Sequence, residues 1–193
     1  MIRNLSGMIV RYLYSRGALE KSMIEVCRYG YEVLLFNLMN ALIILILGIT
    51  LHRLLYSAVF FFIFAVVRQY CGGYHSRSTV ICTAVYISIY LLIMLIASTE
   101  LSDNLFTLSV NLILCMCFVS SSAAFAPIEN PDKPIDGSDA VKFRKISVIL
   151  GLALTAICLG VYAVDSNISA VISSTLLVIT LLMLAGKGTF SRA

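Results

Sequence analysis

The chain alternates between long apolar runs and short polar breaks. Apolar runs fill residues 33–51, 54–67, 80–97, 105–125, 146–164 and 168–185. A helix needs about 20 predominantly apolar residues to cross a bilayer, and most of these runs are long enough. The run at 54–67 is short; extended through Tyr70 it spans, and otherwise it is tilted or re-entrant. Asn37 and Asn40 interrupt the first run and are expected to face other helices. Ahead of the spans, Ile2, Leu5, Met8, Ile9, Tyr12 and Leu13 recur at helical spacing, with Arg3, Asn4 and Arg11 on the other side. Such a pattern suits a helix lying in the membrane interface. It lacks the uninterrupted apolar core and the cleavage site of a secretory signal peptide. Gly17 breaks this helix, and residues 18–30 form a second amphipathic piece that runs into the first span.

The predicted fold class is all-α: a polytopic membrane helical bundle of about six membrane helices, preceded by an amphipathic interfacial helix. One membrane-embedded domain is expected over 1–193. Within it lie an amphipathic N-terminal region (1–30), a polar stretch (68–82) and a proline-rich loop (126–140). That loop holds all three prolines, Pro127, Pro131 and Pro134, which prevent helix continuation. As the longest connection on its side, it is expected to pack beside residues 68–82, with Ser138 or Asp139 capping the fifth span.

Composition supports the membrane reading. Hydrophobic residues make up 60% of the 193 and charged residues 12%, about half the charged share of a typical soluble domain. The six cysteines (27, 71, 82, 115, 117 and 158) fall mostly in apolar runs and read as free thiols that fill space. The distribution of charge carries more information than its net value of +4. With the N-terminus inside, the inner segments hold Arg3, Arg11, Arg16, Lys21, Arg28, Arg68, Arg77, Lys133, Lys142, Arg144, Lys145, Lys187 and Arg192. The outer turns hold Arg53, with Glu100, Asp103 and Asp165. By the positive-inside rule both termini are cytoplasmic, and residues 68–82 lie at the inner face.

The chemistry concentrates in Arg68-Gln69-Tyr70-Cys71-Gly72-Gly73-Tyr74-His75, which continues through Arg77 to Cys82. Polar residues are costly inside a membrane-embedded chain and suggest function there. His75 and Cys82 are seven positions apart. On one regular helix they would be about 10 Å apart along the axis, too far for a nucleophile and its base. A catalytic pair therefore needs His75 outside the helix that carries Cys82. Gly72-Gly73 allow that break, and Ser76 or Ser78 can cap a new helix that starts just before Cys82. The positive end of such a helix, together with Arg77, favours a thiolate. Cys71, His75 and Cys82 as a zinc site fit no common ligand spacing, so no metal and no cofactor is expected.

Arg68, Gly72-Gly73-Tyr74-His75 and Cys82, followed by Ala126-Pro127 and Lys133-Pro134, resemble the accessory gene regulator B (AgrB) family over nearly the whole chain. These are membrane-embedded cysteine endopeptidases of Gram-positive bacteria that process the quorum-sensing pro-peptide AgrD. The resemblance implies that Cys82 is the nucleophile and His75 its general base. The C-terminal part of an AgrD-like pro-peptide would be cleaved, leaving a thioester on Cys82. A cysteine or serine of the substrate would then close a thiolactone or lactone ring, giving an autoinducing peptide. It implies as well a location in the bacterial cell membrane, action from the cytoplasmic face and a homodimer. Gln69 is a candidate to orient His75, with Gly72 and Gly73 as supporting residues. Arg68, Arg77, Lys133, Lys142, Arg144 and Lys145 are candidates to meet the acidic tail of the substrate. The bilayer is the other expected partner, and no nucleic acid is expected. The competing class is a non-catalytic small membrane transporter or scaffold subunit. Against the transporter, the spans lack internal Asp, Glu, Lys or Arg, apart from Glu32 at a span's edge.

Overall fold

The computed structural model of the chain describes residues 2–72, 79–99, 105–128 and 137–190. These residues form seven α-helices: α1 (Ile2–Ser15), α2 (Ile24–Thr50), α3 (Leu54–Cys71), α4 (Thr79–Ser98), α5 (Leu105–Phe125), α6 (Gly137–Tyr162) and α7 (Ser166–Phe190). A short 3-10 turn at Lys21–Met23 leads into α2. Helices α2 to α7 are long and apolar enough to cross a membrane, so the expected all-α membrane bundle is what forms.

Two boundaries differ from the apolar runs in ways that matter. Helix α3 continues past the run at 54–67 to Cys71, giving 18 residues. At about 1.5 Å per residue that is roughly 27 Å, close to the hydrocarbon thickness of about 30 Å. Nothing between Val67 and Cys71 opposes helix, so Arg68, Gln69, Tyr70 and Cys71 form its last turn. Gly72 ends it with φ +70° while its N–H still bonds to the Arg68 carbonyl (3.1 Å). Helix α6 begins at Gly137, nine residues before its apolar run, with Asp139 in the first turn where the helix dipole favours an anion.

Contacts divide the chain into two units, Met1–Leu47 and Gly48–Ala193. In the first, α1 ends at Gly17, which has φ +69°. Ser6 Oγ donates to Glu32 Oε1 (3.3 Å), and Arg28 pairs with the same carboxylate (3.4 Å), tying α1 to the start of α2. Leu5, Met8 and Tyr12 stay exposed along α1, as an interfacial helix requires. Asn40 is buried but Asn37 is exposed. The two lie about 60° apart around the helix, and the edge of the buried stripe falls between them.

In the second unit α7 is the central helix, packed by α3, α4, α5 and α6. Its span is 61% buried, against 28% or less for every other span. Small hydroxyl residues make this possible, because they let helices approach closely where no hydrophobic effect drives association. Ser169, Ser173, Ser174, Thr175 and Thr180 are all buried. Thr175 and Thr180 return their hydroxyls to the carbonyls of Val171 (2.6 Å) and Leu176 (3.0 Å), so neither is left unsatisfied. Ser173 Oγ donates to Asn111 Oδ1 (2.8 Å), Asn111 Nδ2 donates to Ser169 Oγ (3.1 Å), and Cys158 Sγ meets the same hydroxyl at 3.0 Å. This chain of contacts fastens α5 and α6 to α7.

Candidate active site

The two ends of the second unit are built differently. At one end Asp165 caps α7, accepting from the N–H groups of Asn167 (2.9 Å) and Ile168 (3.1 Å) and from Tyr56 Oη (3.1 Å). Arg53 lies over the Tyr56 ring (5.2 Å) and reaches the Ala97 carbonyl. One turn further in, the Ser57 and Tyr90 hydroxyls meet at 2.7 Å. Polar groups at this end bond mainly to one another.

The opposite end begins where α3 stops. Ile128 N–H donates to the Cys71 carbonyl (2.9 Å), and Gly72 and Ile128 pair in parallel as an isolated bridge. Only glycine fits at 72. Its φ is positive, and a Cβ there would collide with the Ile128 carbonyl. Arg144 Nε, from α6, donates to the Ala126 carbonyl (2.8 Å) and holds the same segment from the other side. Tyr70 adds an edge-on ring contact to Phe143 of α6 (6.0 Å). Beneath the bridge, the buried Cys71 thiol faces the buried hydroxyls of Ser122 and Ser147, in contacts too loose to count as full hydrogen bonds. The stretch from 68 and the proline loop therefore leave the bundle from one fixed point.

Cys82 sits in the first turn of α4, half-buried. Arg68, in the last turn of α3, is half-buried as well. Its guanidinium lies over the Phe64 ring (5.4 Å) and is close enough for its charge to act on both Cys82 and Tyr86. Tyr86 follows Cys82 by one turn on the same helix face. It is 7% exposed and packs on Phe64 (5.0 Å) and Phe60 (5.5 Å). A half-accessible thiol thus stands beside a fixed cation at the rim of an aromatic cluster.

A sequence model described as accessory gene regulator B matches residues 6–184 of this chain. The chain belongs to the AgrB family. An AgrB-like protein of Clostridium perfringens strain 13 is 30% identical over 138 residues, and a second, from C. perfringens strain SM101, is 28% identical over 138 residues. Each alignment covers 70% of this chain and 64% of the relative. No solved structure matches the chain.

In this AgrB-family chain the expected site residues divide by place. Arg68, Gln69, Gly72 and Cys82 come to the same end of the bundle, with Gln69 exposed on the last turn of α3. Lys142, Arg144 and Lys145 are exposed on the first turns of α6 at that end, and Lys187 of α7 lies there too, over the Phe125 ring (3.8 Å). Gly73, His75, Arg77 and Lys133 fall outside the described residues. The Nε of Arg144, a candidate to meet substrate, is bonded within the fold. Among the described residues no three His, Cys, Asp or Glu side chains are placed to hold a metal ion. Two features went unrecognised in the sequence. Tyr86 carried a signal, its spacing of four from Cys82. The Gly72–Ile128 pairing falls where the proline loop was expected beside residues 68–82, but nothing in the sequence singled out these two residues.

Proposed function

We propose that this protein is a membrane-embedded cysteine endopeptidase that processes an AgrD-like pro-peptide in quorum sensing. Cys82 is the nucleophile and His75 the general base. His75 takes the Cys82 thiol proton, Cys82 Sγ attacks the scissile carbonyl, the C–N bond breaks, and the leaving amine takes that proton from His75. The acyl group stays on Cys82 as a thioester. A substrate thiol or hydroxyl then gives its proton to His75 and attacks that thioester, closing the ring and returning the Cys82 thiolate. The exchange of one thioester for another is close to isoenergetic, so ring closure competes with hydrolysis where water is excluded.

The observation that carries this reading is the placement of Cys82. It is half-accessible on the first turn of α4 and stands beside the Arg68 guanidinium. Family membership adds the substrate class. Arg68, Lys142 and Lys145, with Arg77 and Lys133 on the adjoining segments, supply positive charge for an acidic substrate tail. Of the described charged residues of the second unit, Arg68, Lys142, Arg144, Lys145 and Lys187 gather at the Cys82 end with the single acid Asp139, and Arg53 and Asp165 lie at the other. By the positive-inside rule that asymmetry supports a site at the cytoplasmic face of the cell membrane, with both termini cytoplasmic. A homodimer completes the proposal. Co-expression with an AgrD-type pro-peptide tests it. Mass spectrometry of the membrane fraction should find a cleaved, cyclised peptide with wild type and none with Cys82→Ala. Equal product from both would overturn the reading.

A further inference from the structure

We infer that Tyr86 is a further catalytic residue: its hydroxyl donates a hydrogen bond to the carbonyl oxygen of the acyl group as Cys82 attacks it. This assignment rests on the cysteine-peptidase reading of the same site and adds a group that reading does not use.

Tyr86 and Tyr90 lie one turn apart on one face of α4, and both are buried in the same aromatic cluster. Their hydroxyls are used differently. Tyr90 bonds to Ser57 at 2.7 Å, whereas Tyr86 has no hydrogen-bond partner among the described residues. A hydroxyl not bonded within the described fold is available to a substrate group. Direction fits as well. Helical side chains lean toward the N-terminus and cover the preceding turn, so the Tyr86 phenol extends back toward Cys82. Its ring is fixed on two sides by Phe60 and Phe64, at 5.5 and 5.0 Å. The donor is therefore held before substrate arrives. Preorganised donors of this kind stabilise developing charge with little reorganisation. The Arg68 guanidinium is close enough for its charge to act on both Tyr86 and Cys82.

The electron count is simple. When Cys82 Sγ bonds to the carbonyl carbon, the π pair moves onto the oxygen. When the C–N bond breaks, that pair returns, and Tyr86 keeps its proton throughout. Attack on the thioester in the ring-closing step passes through the same oxyanion, so the same donor serves both steps.

Tyr86→Phe keeps the ring and removes the donor. Two reagents separate its effects on full-length protein in membranes, with Cys82→Ala as the blank. p-Nitrophenyl acetate acylates a thiol through a tetrahedral oxyanion. Iodoacetamide alkylates it by displacing iodide, with no oxyanion. Both are read as modification of the Cys82 peptide by mass spectrometry. In Tyr86→Phe acylation should slow on the order of 100-fold, the effect of losing one oxyanion donor, while alkylation stays within about twofold of wild type. Processing of an AgrD-type pro-peptide should slow alongside acylation. Acylation at the wild-type rate would overturn the assignment. Equal slowing of acylation and alkylation would overturn it as well, placing Tyr86 in support of the thiol or the fold. The acylation arm needs no pro-peptide. Absence of processing by the wild-type protein would sink the peptidase reading and leave the Tyr86 result separately readable.

Discussion

The two ends of the Gly48–Ala193 unit are fastened differently, and the proposed chemistry lies at only one of them. At the Asp165 end, a carboxylate caps a helix and accepts a phenol, a guanidinium lies over that phenol's ring, and two hydroxyls meet in the aromatic layer. Two side-chain pairs, Tyr56 with Asp165 and Ser57 with Tyr90, lock elements together there. At the Cys82 end the fastening is done largely by backbone: Ile128 N–H to the Cys71 carbonyl, a glycine pressed on the Ile128 carbonyl, and the Ala126 carbonyl held by Arg144. The Cys82 thiol and the Tyr86 phenol are left for other uses. A site needs reactive groups held by a support they do not themselves provide, and the contrast between the ends follows that requirement.

The comparison breaks first at Gly72. Gly72→Ala adds a Cβ where the Ile128 carbonyl lies and forces a strained positive φ, at a cost of about 3 kcal/mol. Thermal unfolding in detergent should show the loss, and pro-peptide processing should fall by about 100-fold because the segments around Cys82 shift. Near-normal processing would mean that the bridge does not position the site. Arg144→Ala comes next. It removes a charged donor from the Ala126 carbonyl, worth about 1.5–3 kcal/mol, and Arg144→Lys should recover part of the melting temperature. A raised KM with unchanged stability would instead make Arg144 a substrate contact.

At the other end, Asp165→Ala should lower stability by about 1–2 kcal/mol through the lost cap of α7 while processing per folded molecule is retained. Loss of activity there would dissolve the distinction between the ends. The smallest effect is expected from Tyr90→Phe, about 1 kcal/mol from the Ser57 hydrogen bond. Its Cys82 acylation rate should match wild type, opposite to that of Tyr86→Phe.

The fold was legible in the sequence where physics is local. Six apolar runs and an amphipathic opening helix follow from period and length alone, and Gly17 and Gly72 end helices as glycines should. The centrality of α7 was not legible, because its apolar content differs little from that of its neighbours. Ser169, Ser173, Ser174 and Thr175 distinguish it only once packing shows them buried. At the site, the polar stretch pointed to Cys82, and the family pattern joined it to His75. The contact that Arg144 makes within the fold was not legible, for a physical reason. An exposed basic residue near a predicted site suggests substrate, and its partner, the Ala126 carbonyl, is a backbone atom placed by tertiary structure.

The most direct measurement compares wild type, Cys82→Ala and His75→Ala during co-expression with an AgrD-type pro-peptide, read by mass spectrometry of the membrane fraction at matched protein levels. The account predicts a cleaved and cyclised peptide in wild type and its loss in both variants. Unchanged processing in either variant would contradict the Cys82–His75 peptidase.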